Sequence, residues 1–169
     1  EFPVTMKTTI TNEDGTTEEI EAPYLEGTKL GNYFKSVHYA DSALGEFFSE
    51  MDEAGLLDNT VVVLFGDHDA RLPKSEFNLM YNYDPATDNI KDEDDPTYVE
   101  YDSFDYELDR KVPLLIWTKD GKAKGKFDYT MGMYDVMPTL GNMLGFYNKY
   151  ALGHDIFETK ENNIVVFPN

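Results

Sequence analysis

The chain contains no cysteine, which excludes disulfide bonds and thiolate metal sites but does not by itself assign a compartment. It is also poor in positive charge. Its 14 lysines and arginines stand against 33 aspartates and glutamates, a formal net charge of −19. Such a chain repels nucleic-acid phosphates and anionic lipid headgroups, and binding either would require a basic face that these few cations scarcely provide. No nucleic-acid partner is therefore expected. No apolar run reaches the roughly 18 residues of a membrane span, so no membrane insertion by this segment is expected. Internal repeats are absent as well. What remains is a chain of 169 residues, 41% hydrophobic and 14% aromatic, which is one domain's worth of sequence with enough apolar material for a sizeable core.

The densest chemistry lies in Val61-Val62-Val63-Leu64-Phe65-Gly66-Asp67-His68-Asp69. Five apolar, mostly β-branched residues read as a strand buried on both faces of a parallel sheet, and such strands place functional residues just past their carboxyl ends. Neighbours within a strand point to opposite faces, so Asp67 and His68 converge only if the strand has already ended and the backbone is turning. Gly66 permits that turn. A hard carboxylate beside an imidazole suits Zn²⁺ or Mn²⁺ better than Ca²⁺, which prefers oxygen alone. An imidazole ligates only when neutral, so metal affinity should fall below about pH 6. The bland alternative is that Asp67 caps a following turn while His68 merely packs.

Around this segment the pattern alternates between helix and strand. Asn12-Glu13-Asp14-Gly15 between β-prone runs over residues 4–21 predicts a surface hairpin. Thr28 is placed to cap a long helix whose Leu30, Phe34, Val37, Tyr39, Ala40, Leu44, Phe47, Phe48 and Met51 lie near the helical period, with Gly55 at its C′ position. His38 and Asp41 share a face of that helix, but a histidine on an apolar helical face is more often a core or boundary residue than a ligand. After the Gly-Asp-His turn come Arg71 and Lys74, two cations suited either to an anionic ester or to ordinary pairing with nearby carboxylates.

Residues 84–109 hold eleven carboxylates against the single base Lys91. They lack the glycine and terminal glutamate of an EF-hand, so a solvated acidic loop is expected. Its Tyr98, Tyr101, Phe104 and Tyr106 are expected to pack against either the body or a substrate groove. Val112 to Trp117 reads as a second buried strand with Pro113 near its start, Asp135 begins a helix that tolerates Pro138 in its first turn, and Ile164 to Phe167 reads as a short last strand. Helix, strand, loop, strand, helix and strand in that order predict an α/β fold, a sheet with packed helices, in a single domain over residues 1–169.

Several blocks together resemble the lipoteichoic acid synthase type of phosphoglycerol transferase, within the sulfatase and alkaline phosphatase superfamily. Residues 31–48, from Gly31-Asn32-Tyr33-Phe34 to Glu46-Phe47-Phe48, precede Gly55-Leu56-Leu57-Asp58-Asn59-Thr60 and the Gly-Asp-His. Lys111-Val112-Pro113-Leu114-Leu115-Ile116-Trp117 is similar to that family's next core strand. Tyr134-Asp135-Val136-Met137-Pro138-Thr139-Leu140-Gly141 resembles its "D-x-x-P-T-L" helix, and Leu152-Gly153-His154-Asp155 its closing turn. The blocks follow the family's order and cover most of residues 28–158.

That resemblance implies a partial alkaline-phosphatase-like or sulfatase-like fold. It also implies a divalent metal, Mn²⁺ favoured with Zn²⁺ or Mg²⁺ as alternatives, held in part by Asp67 and His68, and a phosphate- or sulfate-ester substrate, such as one derived from phosphatidylglycerol. The family's nucleophile, a threonine or serine, and a further acidic ligand would lie upstream of Glu1, so this chain is expected to be a carboxyl-terminal piece, inactive alone, of a membrane-anchored parent at the outer face of a Gram-positive-type membrane. The family's "H-x-P-[YF]" histidine would fall at Glu1, and its common arginine at His154, which points to a structural or rim role there. The competing class is a noncatalytic surface module whose acidic, tyrosine-rich stretch recognises a cationic or carbohydrate partner; within enzymes, a true sulfatase or phosphodiesterase is the alternative.

Overall fold

A computed structural model describes residues 7–21, 25–122, 124–159 and 163–166. The chain divides into two compact units, residues 1–120 and 121–169, each described by itself below. The elements are mixed α and β, as the α/β pattern of the sequence predicts.

The first unit opens with strands β1 (Lys7–Thr11) and β2 (Thr17–Glu21), paired antiparallel from Lys7 opposite Glu21 to Thr11 opposite Thr17. Asp14 organises the turn, its Oδ1 accepting from the Thr16 amide at 2.9 Å and the Thr16 hydroxyl at 2.6 Å. Gly15 supplies the left-handed residue, φ +82°, that the turn requires. The expected hairpin is thus present. Residues 4–6 of the predicted span, like Glu1 with its histidine-like position, lie outside the described residues.

Helix α1 (Lys29–Glu53) begins and ends where its capping residues predict. The Thr28 hydroxyl accepts from the Gly31 amide at 2.9 Å, satisfying one of the donors a helix start leaves without a partner. At the other end Gly55, φ +68°, donates to Asp52 O at 2.9 Å and Leu56 donates to Met51 O at 3.0 Å. This pair of bonds is the Schellman arrangement. The helix start is the buried part: Leu30 packs with Leu25, Leu72 and Leu79, and Phe34, Phe77 and Tyr83 lie against that cluster. Farther along, Val37, Tyr39 and Phe47 are exposed. His38 is exposed too, so it is not the core residue its apolar face suggested.

Strand β3 (Val61–Phe65) pairs with β6 (Leu114–Thr118), Val61 opposite Thr118 and Phe65 opposite Leu114, and the pairing is antiparallel. The expectation of a parallel sheet buried on both faces is therefore corrected. A run of β-branched residues specifies extended backbone, whereas direction depends on where the partner strand comes from. These two strands form a sheet of their own, and Val61, Phe65 and Leu115 remain exposed.

The acidic stretch is structured where a solvated loop was expected. Helix α2 (Lys74–Asn82) runs into a two-residue ladder of β4 (Tyr83–Asp84) and β5 (Asn89–Ile90), and α3 (Ser103–Leu108) follows. Asp102 caps α3, accepting from Phe104 and Asp105 amides at 2.6 and 2.9 Å while Asp105 answers the Asp102 amide at 3.1 Å. Several carboxylates of the segment are thus committed to local caps and turns rather than to solvent alone. The tyrosines choose the body. Tyr101 is buried and stacks on Phe77 with centroids 5.3 Å apart, Tyr106 meets the edge of Phe77 and donates to Leu72 O at 3.1 Å, and Tyr98 reaches Asn78.

In the second unit a 3₁₀ turn over Met133–Asp135 leads into α4 (Val136–Leu144), which ends at Gly145 in the left-handed conformation. Pro138 sits in the first turn, where its missing amide costs nothing. Asp135 and Thr139 are both fully buried. Asp135 accepts from the Gly132 amide at 2.7 Å and the His154 amide at 2.9 Å, and the Thr139 hydroxyl accepts from the Ile156 amide at 3.1 Å while donating to Asp135 O. A Cβ on Gly153 would lie 2.3 Å from Tyr134 O, so only glycine fits that turn. The aspartate, threonine and glycine of the two motifs thus have a structural purpose, and His154 contributes its main chain to it while its side chain is exposed. Of the strand expected at Ile164–Phe167, Phe167 lies outside the described residues; residues 164–166 have no ladder partner among the described residues, and Ile164 and Val166 are exposed.

Thr139→Val keeps the shape of the side chain but leaves the Ile156 amide buried without an acceptor, at a cost of about 1–3 kcal/mol, and Gly153→Ala costs a similar amount, about 1–3 kcal/mol, through overpacking. Urea unfolding of each variant measures these losses.

Candidate metal centre

The site grows from the end of β3. Because β3 and β6 are antiparallel, the residues just after Phe65 lie beside those just before Leu114, and the Gly66 amide donates to Pro113 O at 3.2 Å. A Cβ at Gly66 would come within 2.7 Å of the Val112 side chain. The glycine is needed there for close approach, and its φ is not among the positive ones.

Past this point Asp67 and His68 converge rather than diverge, with His68 Nε2 3.7 Å from Asp67 Oδ1. Both side chains are accessible, Asp67 at 89% and His68 at 48%. The other ring nitrogen, Nδ1, lies 2.6 Å from Asp69 O. A carbonyl accepts only, so Nδ1 donates to it, and Nε2 is the ring nitrogen on the Asp67 side. This is the outer-sphere pattern that orients a ligating imidazole. Two atoms 3.7 Å apart can both lie at about 2.1 Å from one ion, so the pair fits half of a divalent-metal site. Among the described residues, no group of three or more histidines, aspartates or glutamates is arranged to hold a metal.

Asp69 behaves differently from its neighbours. Its side chain is only 20% exposed; Oδ1 lies 3.6 Å from Arg110 Nε, and Oδ2 accepts from the Arg71 amide at 3.2 Å. Arg71 takes a left-handed φ of +52° to make that turn. A groove of about 330 Å³ opens beside the turn, with His68, Asp69, Asp109 and Lys111 as its charged or polar walls and Phe34 and Met80 among its apolar ones. Neither Arg71 nor Lys74 lines it. Arg71 is exposed on the turn, and Lys74 opens α2, where its charge acts on Asp102.

Behind Asp109 stands a phenol pair. Its Oδ2 accepts from Tyr81 Oη at 2.9 Å and Tyr101 Oη at 3.1 Å. Burial and then the Asp109 carboxylate push the Tyr101 phenol above the ordinary range, and the bond to Asp109, followed by burial, raises that of Tyr81. Sequence reasoning missed the roles of Asp69, Asp109 and Arg110. The available signal was topological, since antiparallel pairing of the two apolar runs sets residues 109–113 against residues 66–69.

The sulfatase family model matches residues 3–146, a span that includes both core strands and the turn between β3 and α2. The chain belongs to the sulfatase family. Among curated proteins this sulfatase-family chain is 34% identical over 143 residues to lipoteichoic acid synthase 1 and 30% identical over 142 residues to lipoteichoic acid synthase 2, both of Bacillus subtilis. Each match covers 83% of the chain and 20% of the relative. A lipoteichoic acid synthase of Staphylococcus saprophyticus is 29% identical over 164 residues, 95% of the chain and 22% of that protein. The sulfatase-family chain therefore spans about a fifth of the length of these relatives. No solved structure matches it.

The raised phenols give a signed prediction. A tyrosine whose folded pKa lies above the unfolded value of about 10 contributes stability that is fully present below that pH and is lost as pH rises through it. Ultraviolet titration of wild type against Tyr81→Phe and Tyr101→Phe should show both phenols ionising later than the exposed tyrosines, and Asp109→Asn should bring them back toward the rest. Ionisation of both with the bulk in wild type would contradict the arrangement.

Proposed function

We propose that these residues form part of a metal-dependent phosphoglycerol transferase of the lipoteichoic acid synthase type, to which Asp67 and His68 contribute two ligands of a divalent cation. The observation that carries this reading is the 3.7 Å approach of an imidazole nitrogen and an exposed carboxylate oxygen, with the other ring nitrogen engaged by the Asp69 carbonyl. Family membership and the likeness to lipoteichoic acid synthases support the reaction class. Mn²⁺ is the favoured ion, with Zn²⁺ and Mg²⁺ compatible with one oxygen and one nitrogen donor.

When bound, such an ion polarises a phosphate or sulfate ester and favours the ionised form of a hydroxyl nucleophile. The chain's own residues do the rest. Asp67 would lower the net positive charge at the site, and Asp69 O engages His68 Nδ1 and so leaves Nε2 on the ligating side. Arg71, and less directly Lys74, remain candidates for contacting the anionic ester from outside the groove. The nucleophile and the remaining ligands belong, on this reading, to parts of the protein outside these 169 residues, so that the two units described here complete a single catalytic domain only with those parts. The 169-residue chain alone is expected to turn over no ester. The substrate is a phosphate ester derived from phosphatidylglycerol, and the setting is the outer face of a Gram-positive-type membrane; among the described residues no helix is long and apolar enough to cross one.

The rival reading, a binding module built on the acidic stretch, loses support from the inward packing of Tyr101 and Tyr106 on Phe77. In the full-length protein, Asp67→Ala and His68→Ala should each weaken Mn²⁺ binding by more than the roughly 10–100-fold typical of an outer-sphere partner, and chelation should abolish ester turnover. Calorimetric titration with Mn²⁺ checks this. Affinity unchanged in the double variant refutes the assignment, and loss of a surface partner on deleting residues 88–106, with Mn²⁺ affinity intact, would favour the module.

A further inference from the structure

The His68 ring is aimed by a main-chain atom, Asp69 O, and a carbonyl is only as well placed as the residue that bears it. Asp69 is tied down on both carboxylate oxygens, one against Arg110 Nε at 3.6 Å and the other by the Arg71 amide at 3.2 Å. Arg110 is itself fixed. Its Nη1 donates to Glu107 Oε2 at 3.0 Å, and its neighbour Asp109 is held by the hydroxyls of Tyr81 and Tyr101, the second of which stacks on Phe77 of α2. The ion pair is shielded as well, with Asp69 at 20% and Arg110 at 34% exposure, against 89% for Asp67.

From this we propose that Arg110 is a positioning residue: through its ion pair with Asp69 it sets the orientation of the His68 imidazole and thereby the cation affinity of the Asp67–His68 pair. The inference rests on the ligand assignment made under the preceding heading. It also gives the acidic segment a purpose, because the tyrosines and Asp109 form the platform on which Arg110 stands. Arg110 pairs with Asp69 and Glu107, and its influence on the ion passes through the turn that Asp69 belongs to.

The test uses the full-length protein, Mn²⁺ alone as the probe, and four variants. Arg110→Met should bind Mn²⁺ about 10-fold more weakly, as loss of an outer-sphere partner does. Arg110→Lys should recover most of that loss, because an ammonium still pairs with Asp69. Asp69→Asn, which keeps the carbonyl and the side-chain shape, should shift affinity in the same direction as Arg110→Met and serves if that variant folds poorly. The ¹⁵N signals of the His68 ring should report a single Nδ1-protonated tautomer in the metal-free wild type and a mixture in Arg110→Met. Mn²⁺ affinity within twofold of wild type in Arg110→Met and Asp69→Asn, with unchanged ring signals, overturns the proposal while leaving the ligand assignment standing. Unchanged affinity in the Asp67→Ala and His68→Ala double variant overturns the ligand assignment, and the cation part of this proposal with it.

Discussion

The antiparallel pairing of β3 with β6 is the constraint from which the site follows. In a parallel pair the carboxyl end of one strand lies beside the carboxyl end of the next. Here the end of β3 lies beside the start of β6, and Gly66 N to Pro113 O is the bond just past the last ladder pair. The bare Gly66 Cα lets Val112 come within contact distance. The turn carrying Asp67, His68 and Asp69 is therefore held against the segment carrying Asp109, Arg110 and Lys111. Each later contact, Asp69 with Arg110 and Asp109 with its two phenols, depends on that adjacency.

Charge is distributed unevenly in a way the net value of −19 conceals. Many carboxylates do local work: Asp14 in the hairpin turn, Asp102 and Asp105 at the start of α3, and Asp52 and Asp58 on either side of the Lys119 ammonium at 2.5 and 2.8 Å. The depressed pKa of Asp102 comes first from the amides of Asp105 and Phe104 that it caps, with Lys74 adding a smaller attraction. A carboxylate that accepts backbone amides favours its ionised form. Repulsion between like charges is thus partly offset by fixing the charges on donors, and residues 84–109 can fold back as a helix and a short ladder instead of remaining a solvated loop.

Much of the local structure was legible in the sequence. Thr28, Gly55 and the spacing between them mark α1 to within a residue, because capping chemistry depends only on residues near in sequence. Asp14-Gly15 marks the hairpin for the same reason, and Pro138 fits the first turn of α4. The apolar runs locate β3 and β6 but are silent on direction, and that silence produced the parallel-sheet error. The run at Ile164–Val166 resembles a strand, yet a strand needs a partner, and partnership is a long-range property. For the centre, the adjacency of Asp67 and His68 was readable, but the importance of Arg110 was not, since 40 residues separate it from the turn in sequence and only the β3–β6 pairing brings it back.

Comparison of the buried and exposed carboxylates separates Asp67 from its neighbours. Asp135 is sealed and spends its oxygens on Gly132 and His154 amides; Asp109 spends one on two phenols; Asp69 is paired with Arg110 and Arg71 N. Removing Asp135 leaves the amides of Gly132 and His154 without the acceptor they share, so that carboxylate answers a demand of the fold. Asp67 is 89% exposed, and its recorded contact is a histidine nitrogen whose own proton is committed elsewhere. At that exposure the contact adds little to stability. On the proposed reading a divalent cation would lie between the carboxylate and the imidazole nitrogen, 3.7 Å apart, in the place that a proton on Nε2 would otherwise fill.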